Sequence, residues 1–335
     1  MKYTAVVLAK HPEGAVRESD FRVEQRVLPE LPDNHFITEN IFLSMDSGFR
    51  QWMTAGAGDN YLTGMQIGDP VQSIVLGRVI ESRNPMYPVG MIVNARTAWE
   101  THSVLDGSDL CTPLEPDSSV PLHEYMATLG PTGVTAWLGM AKIGEPKAGE
   151  VLVVSAAGGA VGSVAGQLGK VAGCKTIGLT SSAEKARWLV DEVGYDVGIS
   201  REESPDLLAA LREHAPEGVD IFFDNVGGRT LDVVLSHLKE NARIICCGAI
   251  AQYESEKPEP VFNTWELITK RALMKGFMFS DYVDEFPHAI GELATLLAAG
   301  TLKGPAKIYE GIDQAPTAFC DMMHGVSRGK CLVKL

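Results

Sequence analysis

The stretch that decides the fold is Val151-Leu152-Val153-Val154-Ser155-Ala156-Ala157-Gly158-Gly159-Ala160-Val161-Gly162. It begins as an unbroken apolar run rich in valine, the pattern of a strand buried on both faces. Small residues then turn it into Ser163-Val164-Ala165-Gly166-Gln167-Leu168-Gly169-Lys170-Val171, whose apolar positions recur at helical spacing. A strand, a glycine turn and a helix form the cradle of a dinucleotide pyrophosphate. Free backbone N–H groups and the positive end of the helix dipole face the phosphates there, and small side chains let the backbone come close. The spacing is Ala156-x-x-Gly159-x-x-Gly162 rather than G-x-G-x-x-G, so taken alone it also fits a tight turn that only packs a helix on a strand. A second strand, Cys174-Lys175-Thr176-Ile177-Gly178-Leu179-Thr180, follows and completes a βαβ unit.

Downstream, strands and helices alternate. Helices are expected over 183–194, 205–214, 230–238, 261–269 and 285–299. Strands are expected over 196–200, 219–224, 242–248 and 273–279, which with the first two make six strands in a doubly wound parallel sheet. His123–Leu129 and Gly133–Met140 read as helices on either side of Gly130-Pro131. Upstream, short apolar runs at 3–8, 36–44, 74–80 and 91–95 are broken by Pro, Gly and Asp, with Gly90 in a turn; this is a β-rich, barrel-like domain. The tail is β-like again at 306–309 and 330–335 and is expected to rejoin that domain. The expected division is 1–122 with 304–335, and 123–303.

The 335 residues suffice for two domains with real cores, and the net charge of −14, from 43 acids against 29 bases, argues against a nucleic-acid backbone or an anionic membrane as partner. No apolar run approaches the ~20 residues that span a bilayer. Six scattered cysteines and no leader-like segment fit reduced thiols in the cytoplasm. Cys111 is the one cysteine of residues 1–122, and His11, His35, His102 and His123 lack ligand spacing, so no zinc is expected.

The second strand ends in Thr180-Ser181-Ser182, without the carboxylate that binds an NAD ribose. Lys185, Arg187 and Arg201 follow. Cations beside an uncharged strand end suit the 2′-phosphate of NADP, and they equally suit a solvated helix face. Lys185 and Arg201 are favoured, because the third strand runs beside the second. Asp224-Asn225-Val226-Gly227-Gly228 closes the fourth strand on the cofactor side, either to let the loop approach a nicotinamide or to cap the next helix. Cys247-Gly248-Ala249-Ile250-Ala251-Gln252-Tyr253 ends the fifth; its tyrosine can stabilise an oxyanion and relay a proton, or simply wall the site.

These motifs, with Leu43-Ser44-Met45-Asp46, Arg50 and Met53, Gly133-Val134-Thr135-Ala136-Trp137-Leu138-Gly139, Glu184-Lys185, Gly276-Phe277 and Gly329-Lys330, carry a resemblance over essentially the whole chain. It resembles the medium-chain dehydrogenase/reductase superfamily, in the zinc-free branch of prostaglandin/leukotriene reductases, plant double-bond reductases and bacterial curcumin reductases. The resemblance implies a GroES-like domain, a Rossmann domain, a homodimer and NADPH. The implied reaction reduces the C=C bond of an α,β-unsaturated ketone or aldehyde, with hydride going to the β-carbon. Carried onto this chain, it implies cofactor contacts at Ala157, Gly158, Gly159, Ala160, Val161, Gly162, Thr180, Ser181, Lys185, Asn225, Cys247, Gly248, Ala249, Ile250, Tyr253, Phe277, Phe279 and Ser327; Arg201 stands where some relatives have a tyrosine, and its contact is inferred from the charge argument above. Substrate contacts are implied at Asp46, Phe49, Arg50 and Tyr253, with Tyr253 catalytic. The chain departs from the pattern at Ser47-Gly48-Phe49, where the family has Pro-Tyr-Met, at Ser327, which replaces an asparagine, and at Glu254, another asparagine position. A reshaped, more open pocket is expected. The alternatives are a quinone reductase of the same superfamily and an NADPH-binding scaffold or sensor without turnover.

Overall fold

The computed structural model describes residues 1–59, 62–255 and 257–335. Contacts divide the chain into two units, 1–126 with 306–327 and 331–335, and 127–305 with 328–330.

The chain opens with an antiparallel pair, β1 (Lys2–Leu8) and β2 (Phe21–Val27). It continues through β3 (Phe36–Met45), β4 (Gln72–Ser82), β5 (Ile92–Ala98), β6 (His102–Leu105) and β7 (Thr112–Leu114). Strands β6 and β7, of four and three residues, are too short to stand out in sequence, and β2, where Phe21, Val23 and Val27 alternate with polar residues, lies outside the expected runs. Residues 122–125 form one 3-10 turn instead of the expected 123–129 helix. The segment is boxed between Pro121 and Gly130-Pro131, which leaves no room for a stable α-helix.

Pro131 is the first residue of α1 (Pro131–Gly139), where its missing N–H costs nothing, and a π-turn over 140–144 ends that helix. Then come β8 (Val151–Val154), α2 (Ala160–Val171), β9 (Lys175–Thr180), α3 (Ala183–Trp188), β10 (Val197–Ser200), α4 (Leu207–His214), β11 (Val219–Asp224), α5 (Gly228–Leu235), β12 (Leu238–Cys246), α6 (Trp265–Thr269), β13 (Leu273–Gly276) and α7 (Phe286–Ala298). The six strands are parallel throughout, in the order β10-β9-β8-β11-β12-β13. Three of the boundaries that differ from the sequence reading have a visible cause. Helix α5 stops at Leu235, because Leu238 already pairs with Val219 as the start of β12. Helix α6 starts only at Trp265, since Pro258 and Pro260 keep the approach extended. Strand β13 ends at Gly276, and a 3-10 segment starts at Phe279.

Alternation along the strands feeds two apolar layers. Val153, Phe222 and Ile244 are buried under Ala210 and Leu211 of α4 and Leu231, Val234 and Leu235 of α5. Phe223 and Ile245 face the other way, against Gly139 at the end of α1, where an added Cβ would lie 2.6 Å from Phe223 Cε2. Helices therefore cover both faces of the sheet, the doubly wound arrangement.

The tail supplies β14 (Ala306–Glu310), α8 (Ala315–Met323) and β15 (Lys330–Lys334). The first unit's larger sheet runs β14-β15-β3-β4-β5-β7, with β6 on β3. Its core centres on Trp99, whose ring lies 5.2 Å from Phe21 and 5.3 Å from Phe319 of α8. Helix α8 was not evident in sequence. Residues 328–330 go with the second unit: Gly329 N–H donates to Gly158 O at 2.8 Å and Lys330 N–H to Pro305 O at 2.8 Å. Among the described residues no helix is long and apolar enough to cross a membrane.

Candidate cofactor and active site

The strand order reverses at β8, between β9 and β11, and the carboxyl ends of β8 and β11 flank the crevice where open α/β sheets bind ligands. The turn after β8 is built without slack. Ala156 sits at φ +46°, unusual for a residue with a Cβ, and its carbonyl accepts from Gly159 N–H at 2.9 Å. A Cβ on Gly162 would fall 2.5 Å from Ala156 O and 2.7 Å from Ala157 Cα, so only glycine lets α2 approach the turn this closely. The residue that this spacing singles out is thus the one the turn requires. Gly158 and Gly159 are less crowded: a Cβ there would meet nothing closer than 3.5 Å and 3.3 Å. Ala157 is buried, while Ala160 and Val161 are half-buried in the first turn of α2.

A buried polar node ties this turn to β11. The Ser155 hydroxyl donates to Asp224 Oδ1 at 2.8 Å and accepts from Asn225 N–H at 2.8 Å. The Asn225 amide donates to Ser155 O at 2.8 Å. Asp224 also accepts from Val226 N–H at 3.0 Å and Gly227 N–H at 3.1 Å. Burial pushes its carboxyl above the usual range, while those N–H groups and the Ser155 hydroxyl hold it down. Asn225 is thereby fixed at the crevice. Neither Ser155 nor Asp224 was singled out as a site residue. Ser155 reads as one more small turn residue, and only the long-range bond reveals its role.

The segment after β12 folds onto the same loop. Cys247 and Gly248 N–H groups donate to Asp224 O at 2.8 and 3.1 Å, and Ile250 N–H donates to Asn225 O at 3.2 Å. The Tyr253 hydroxyl accepts from Ala249 N–H at 3.0 Å, which leaves its own proton to donate elsewhere. Burial raises the pKa of the Tyr253 hydroxyl above the ordinary tyrosine value, so it stays protonated at neutral pH. Burial likewise pushes Cys246 up to about 11 and Cys247 up to about 12, which keeps both as thiols rather than nucleophilic thiolates. Phe277 and Phe279 are half-buried beyond β13, with Phe279 stacked on Phe286 at 5.6 Å.

At the end of β9, Thr180 is half-buried and Ser181 exposed, and the Ser182 hydroxyl caps α3 by accepting from Lys185 N–H at 3.3 Å. Lys185 is 9% exposed and its stem passes over Gly158, 3.5 Å from where a Cβ would be. Arg201 is exposed at the end of β10, its backbone N–H on Thr180 O at 3.0 Å. The buried carbon stem and cationic head of Lys185, the hydroxyls and the adjacent free N–H groups fit a phosphorylated dinucleotide.

The substrate residues implied by the resemblance lie in the first unit. Asp46 is half-buried and accepts from the Ser44 hydroxyl. Phe49 is 8% exposed, packed edge-on to Trp52 at 6.0 Å in that unit's core. Arg50 is 2% exposed and donates to Gly14 O at 2.8 Å, Pro12 O at 3.3 Å and Thr54 Oγ1 at 3.0 Å. Phe49 and Arg50 are thus both held by contacts within that unit. Ser327 is buried, 5% exposed, just after α8.

Residues 4–112 match the N-terminal domain of oxidoreductase, and residues 160–295 match the zinc-binding dehydrogenase family. The chain is 35% identical over 331 residues to the NADP(+)-dependent 2-alkenal reductase of Nicotiana tabacum, covering 98% of this chain and 96% of that one. The chain belongs to the zinc-free branch of the medium-chain dehydrogenase/reductase family. Mouse prostaglandin reductase 1 is 36% identical to this reductase-family chain, covering 98% of it and 97% of the mouse protein. The crystal structure of CurA from Vibrio vulnificus superposes with a TM-score of 0.92 at 31% identity, covering 99% of this chain and 98% of CurA, and CurA has also been solved with NADPH. The zinc of the second family's description finds no ligand set here: among the described residues no group of three or more His, Cys, Asp or Glu could hold a metal ion.

Proposed function

We infer that this chain is an NADPH-dependent reductase of carbon–carbon double bonds conjugated to a ketone or aldehyde. The observation that carries the reading is the site at the switch of the sheet. Its glycine turn is closed tightly enough to exclude a Cβ at Gly162, and Lys185 rather than a carboxylate sits beside the end of β9. The named relatives at 35–36% identity, an alkenal reductase and a prostaglandin reductase, support the substrate class.

In this reading the backbone of 157–162 holds the pyrophosphate, and Thr180, Ser181, Lys185 and Arg201 take the adenosine end with its 2′-phosphate. Asn225, the 247–250 loop, Phe277, Phe279 and Ser327 take the nicotinamide end. Bound NADPH supplies hydride for the β-carbon of the substrate. Charge then develops on the substrate carbonyl oxygen, and the Tyr253 hydroxyl, aimed by Ala249 N–H, offers it a proton donor. Because burial raises Tyr253, it holds that proton through neutral pH and shares it as a hydrogen bond. The node of Ser155, Asp224 and Asn225 fixes the loop that carries this geometry. Asp46 borders the substrate in this reading, whereas Phe49 and Arg50 support the surrounding fold.

The chain works as a homodimer in this reading. Strand β13 is the outer strand of the sheet and all four of its residues are exposed, Leu273 by 50% and Met274 by 40%. Trp265 and Ile268 of α6 are each 66% exposed nearby in sequence. Apolar residues on an unpaired edge call for a covering partner, and a second copy of β13 supplies one. Light scattering on the native protein and on Met274→Lys tests this; a wild-type monomer contradicts it. Six free cysteines and no disulfide fit a reducing compartment such as the cytoplasm.

An NADPH-oxidation screen over enones, enals and quinones tests the main reading. Turnover of enones and enals with the saturated carbonyl compound as product is expected. Turnover of quinones alone would move the chain to a quinone reductase, and NADPH binding without turnover to a scaffold or sensor.

A further inference from the structure

A second cation reaches the turn from the far end of the chain. Arg328 belongs to the three-residue segment that lies with the second unit. Its place is built rather than incidental. Gly329 pairs with Gly159 in a parallel bridge, and Gly329 N–H donates to Gly158 O at 2.8 Å. Gly329 holds φ +65°, and a Cβ on it would fall 2.0 Å from Pro305 O, so only glycine sets Arg328 down at this point. The Arg328 guanidinium then lies over the Trp188 ring, 5.7 Å from its centre, and pairs with Glu184.

Trp188 and Lys185 both line the space over Gly158, where a Cβ would meet Lys185 Cδ at 3.5 Å, Thr180 Oγ1 at 3.8 Å and Trp188 Cζ3 at 3.9 Å. The two cations are close enough that Arg328, after burial, depresses the basicity of Lys185. Two like charges gathered over a backbone turn ask for an anion between them. Glu184 meets only part of that demand. Its side chain is 76% exposed, it pairs with Arg328, and no carboxylate among the described residues pairs with the Lys185 ammonium.

We propose that Arg328 is a specificity-determining residue of the cofactor site, which leaves Glu184 and joins Lys185 on the 2′-phosphate of NADPH. Glu184 is then a resident competitor that holds the guanidinium in place until the phosphate arrives. The proposal rests on the reading that the turn binds NADPH with its 2′-phosphate at Lys185. Charge and shape both favour the exchange. A phosphate dianion satisfies two cations at once, with two parallel guanidinium bonds, whereas Glu184 is one exposed monoanion. The guanidinium, 5.7 Å from the centre of the Trp188 ring, can keep that cation–π contact as it turns toward the phosphate.

The test is calorimetric and uses no turnover. Binding of NADPH, NADH, 2′,5′-ADP and 5′-ADP is titrated into the full chain and into Arg328→Met, Glu184→Gln and Lys185→Met. Methionine keeps an apolar stem on Trp188, and circular dichroism verifies folding; Arg328→Lys serves as a second variant and should fall between wild type and Arg328→Met. In Arg328→Met, affinity for NADPH and 2′,5′-ADP should drop by about tenfold to a hundredfold, with NADH and 5′-ADP within twofold. Glu184→Gln should tighten NADPH by about twofold to fivefold and leave NADH unchanged. If Arg328→Met weakens phosphorylated and unphosphorylated ligands alike, or neither, the assignment of Arg328 is overturned. If the wild type itself does not distinguish NADPH from NADH and Lys185→Met changes nothing, it is the underlying cofactor reading that fails.

Discussion

Gly162→Ala is the sharpest single perturbation of the turn. The new Cβ would lie 2.5 Å from Ala156 O, about 0.9 Å inside the distance at which contact becomes ordinary, and 2.7 Å from Ala157 Cα. Both obstacles are backbone, so no side chain can swing aside. Either the first turn of α2 lifts off β8 or the Ala156–Gly159 turn opens. Overpacking of this kind costs about 1–3 kcal/mol. Alanine in a helix recovers roughly 0.5–1 kcal/mol relative to glycine. The expected net loss is therefore about 1–2 kcal/mol of stability. The displaced N–H groups should also weaken NADPH by about tenfold or more. Gly291 provides the matched control. It lies in α7 with nothing within 4 Å of a Cβ, so Gly291→Ala should gain about 0.5–1 kcal/mol and leave binding alone. Urea midpoints and NADPH fluorescence titrations read both variants. A Gly162→Ala protein as stable as Gly291→Ala, with wild-type affinity, would refute the claim that this glycine lets helix and turn meet.

Tyr253→Phe should lower kcat by roughly a hundredfold while the NADPH dissociation constant stays within about twofold. Since burial raises Tyr253 above 10.0, loss of its proton should limit the wild-type rate only on the alkaline side of that value. A stopped-flow pH series on both proteins shows whether that limb exists and belongs to Tyr253. Burial lifts Glu100 to about 7, against opposing help from Ser103 and Arg26, so the folded chain holds an extra proton between 4.5 and 7. Stability should fall as pH rises through that window, and Glu100→Gln should stabilise by about 1–3 kcal/mol at pH 8 yet have little effect at pH 4. An equal effect at both pH values in urea titrations would contradict this. Arg50→Ala, which strands the carbonyls of Pro12 and Gly14, should cost about 2–4 kcal/mol in the same titrations. Were it to change enone KM without touching stability, Arg50 would be a substrate residue after all.

The second unit was legible because its signals are local. A valine run, a small-residue turn and helical spacing follow one another within 151–171, and β11 and β13 end on Asp224 and Gly276, with Gly248 two residues past β12. Boundaries slipped where tertiary pairing overrode propensity: Leu238 suits the end of a helix by composition but is claimed by Val219 across the sheet. The first unit was legible only as β-rich. Helix α8 hid in the tail because its first residues, Ala315-Pro316, look like a loop, although proline is well tolerated in a first helical turn. The site split the same way. The Gly162 requirement follows from spacing, but the Ser155–Asp224 bond joins residues 69 apart, and Arg328 reaches Glu184 across 144 positions. No window of sequence contains either pair. Phe49 and Arg50 show what a motif leaves out: both are buried, one against Trp52 and the other on the carbonyls of Pro12 and Gly14.

The central claim is that hydride goes to the β-carbon of a conjugated carbonyl compound. Turnover of an aliphatic enone with NADPH deuterated at nicotinamide C4, followed by NMR of the product, tests it most directly. Deuterium on the β-carbon of a saturated ketone is the predicted result. Deuterium on the carbonyl carbon of an allylic alcohol would contradict it.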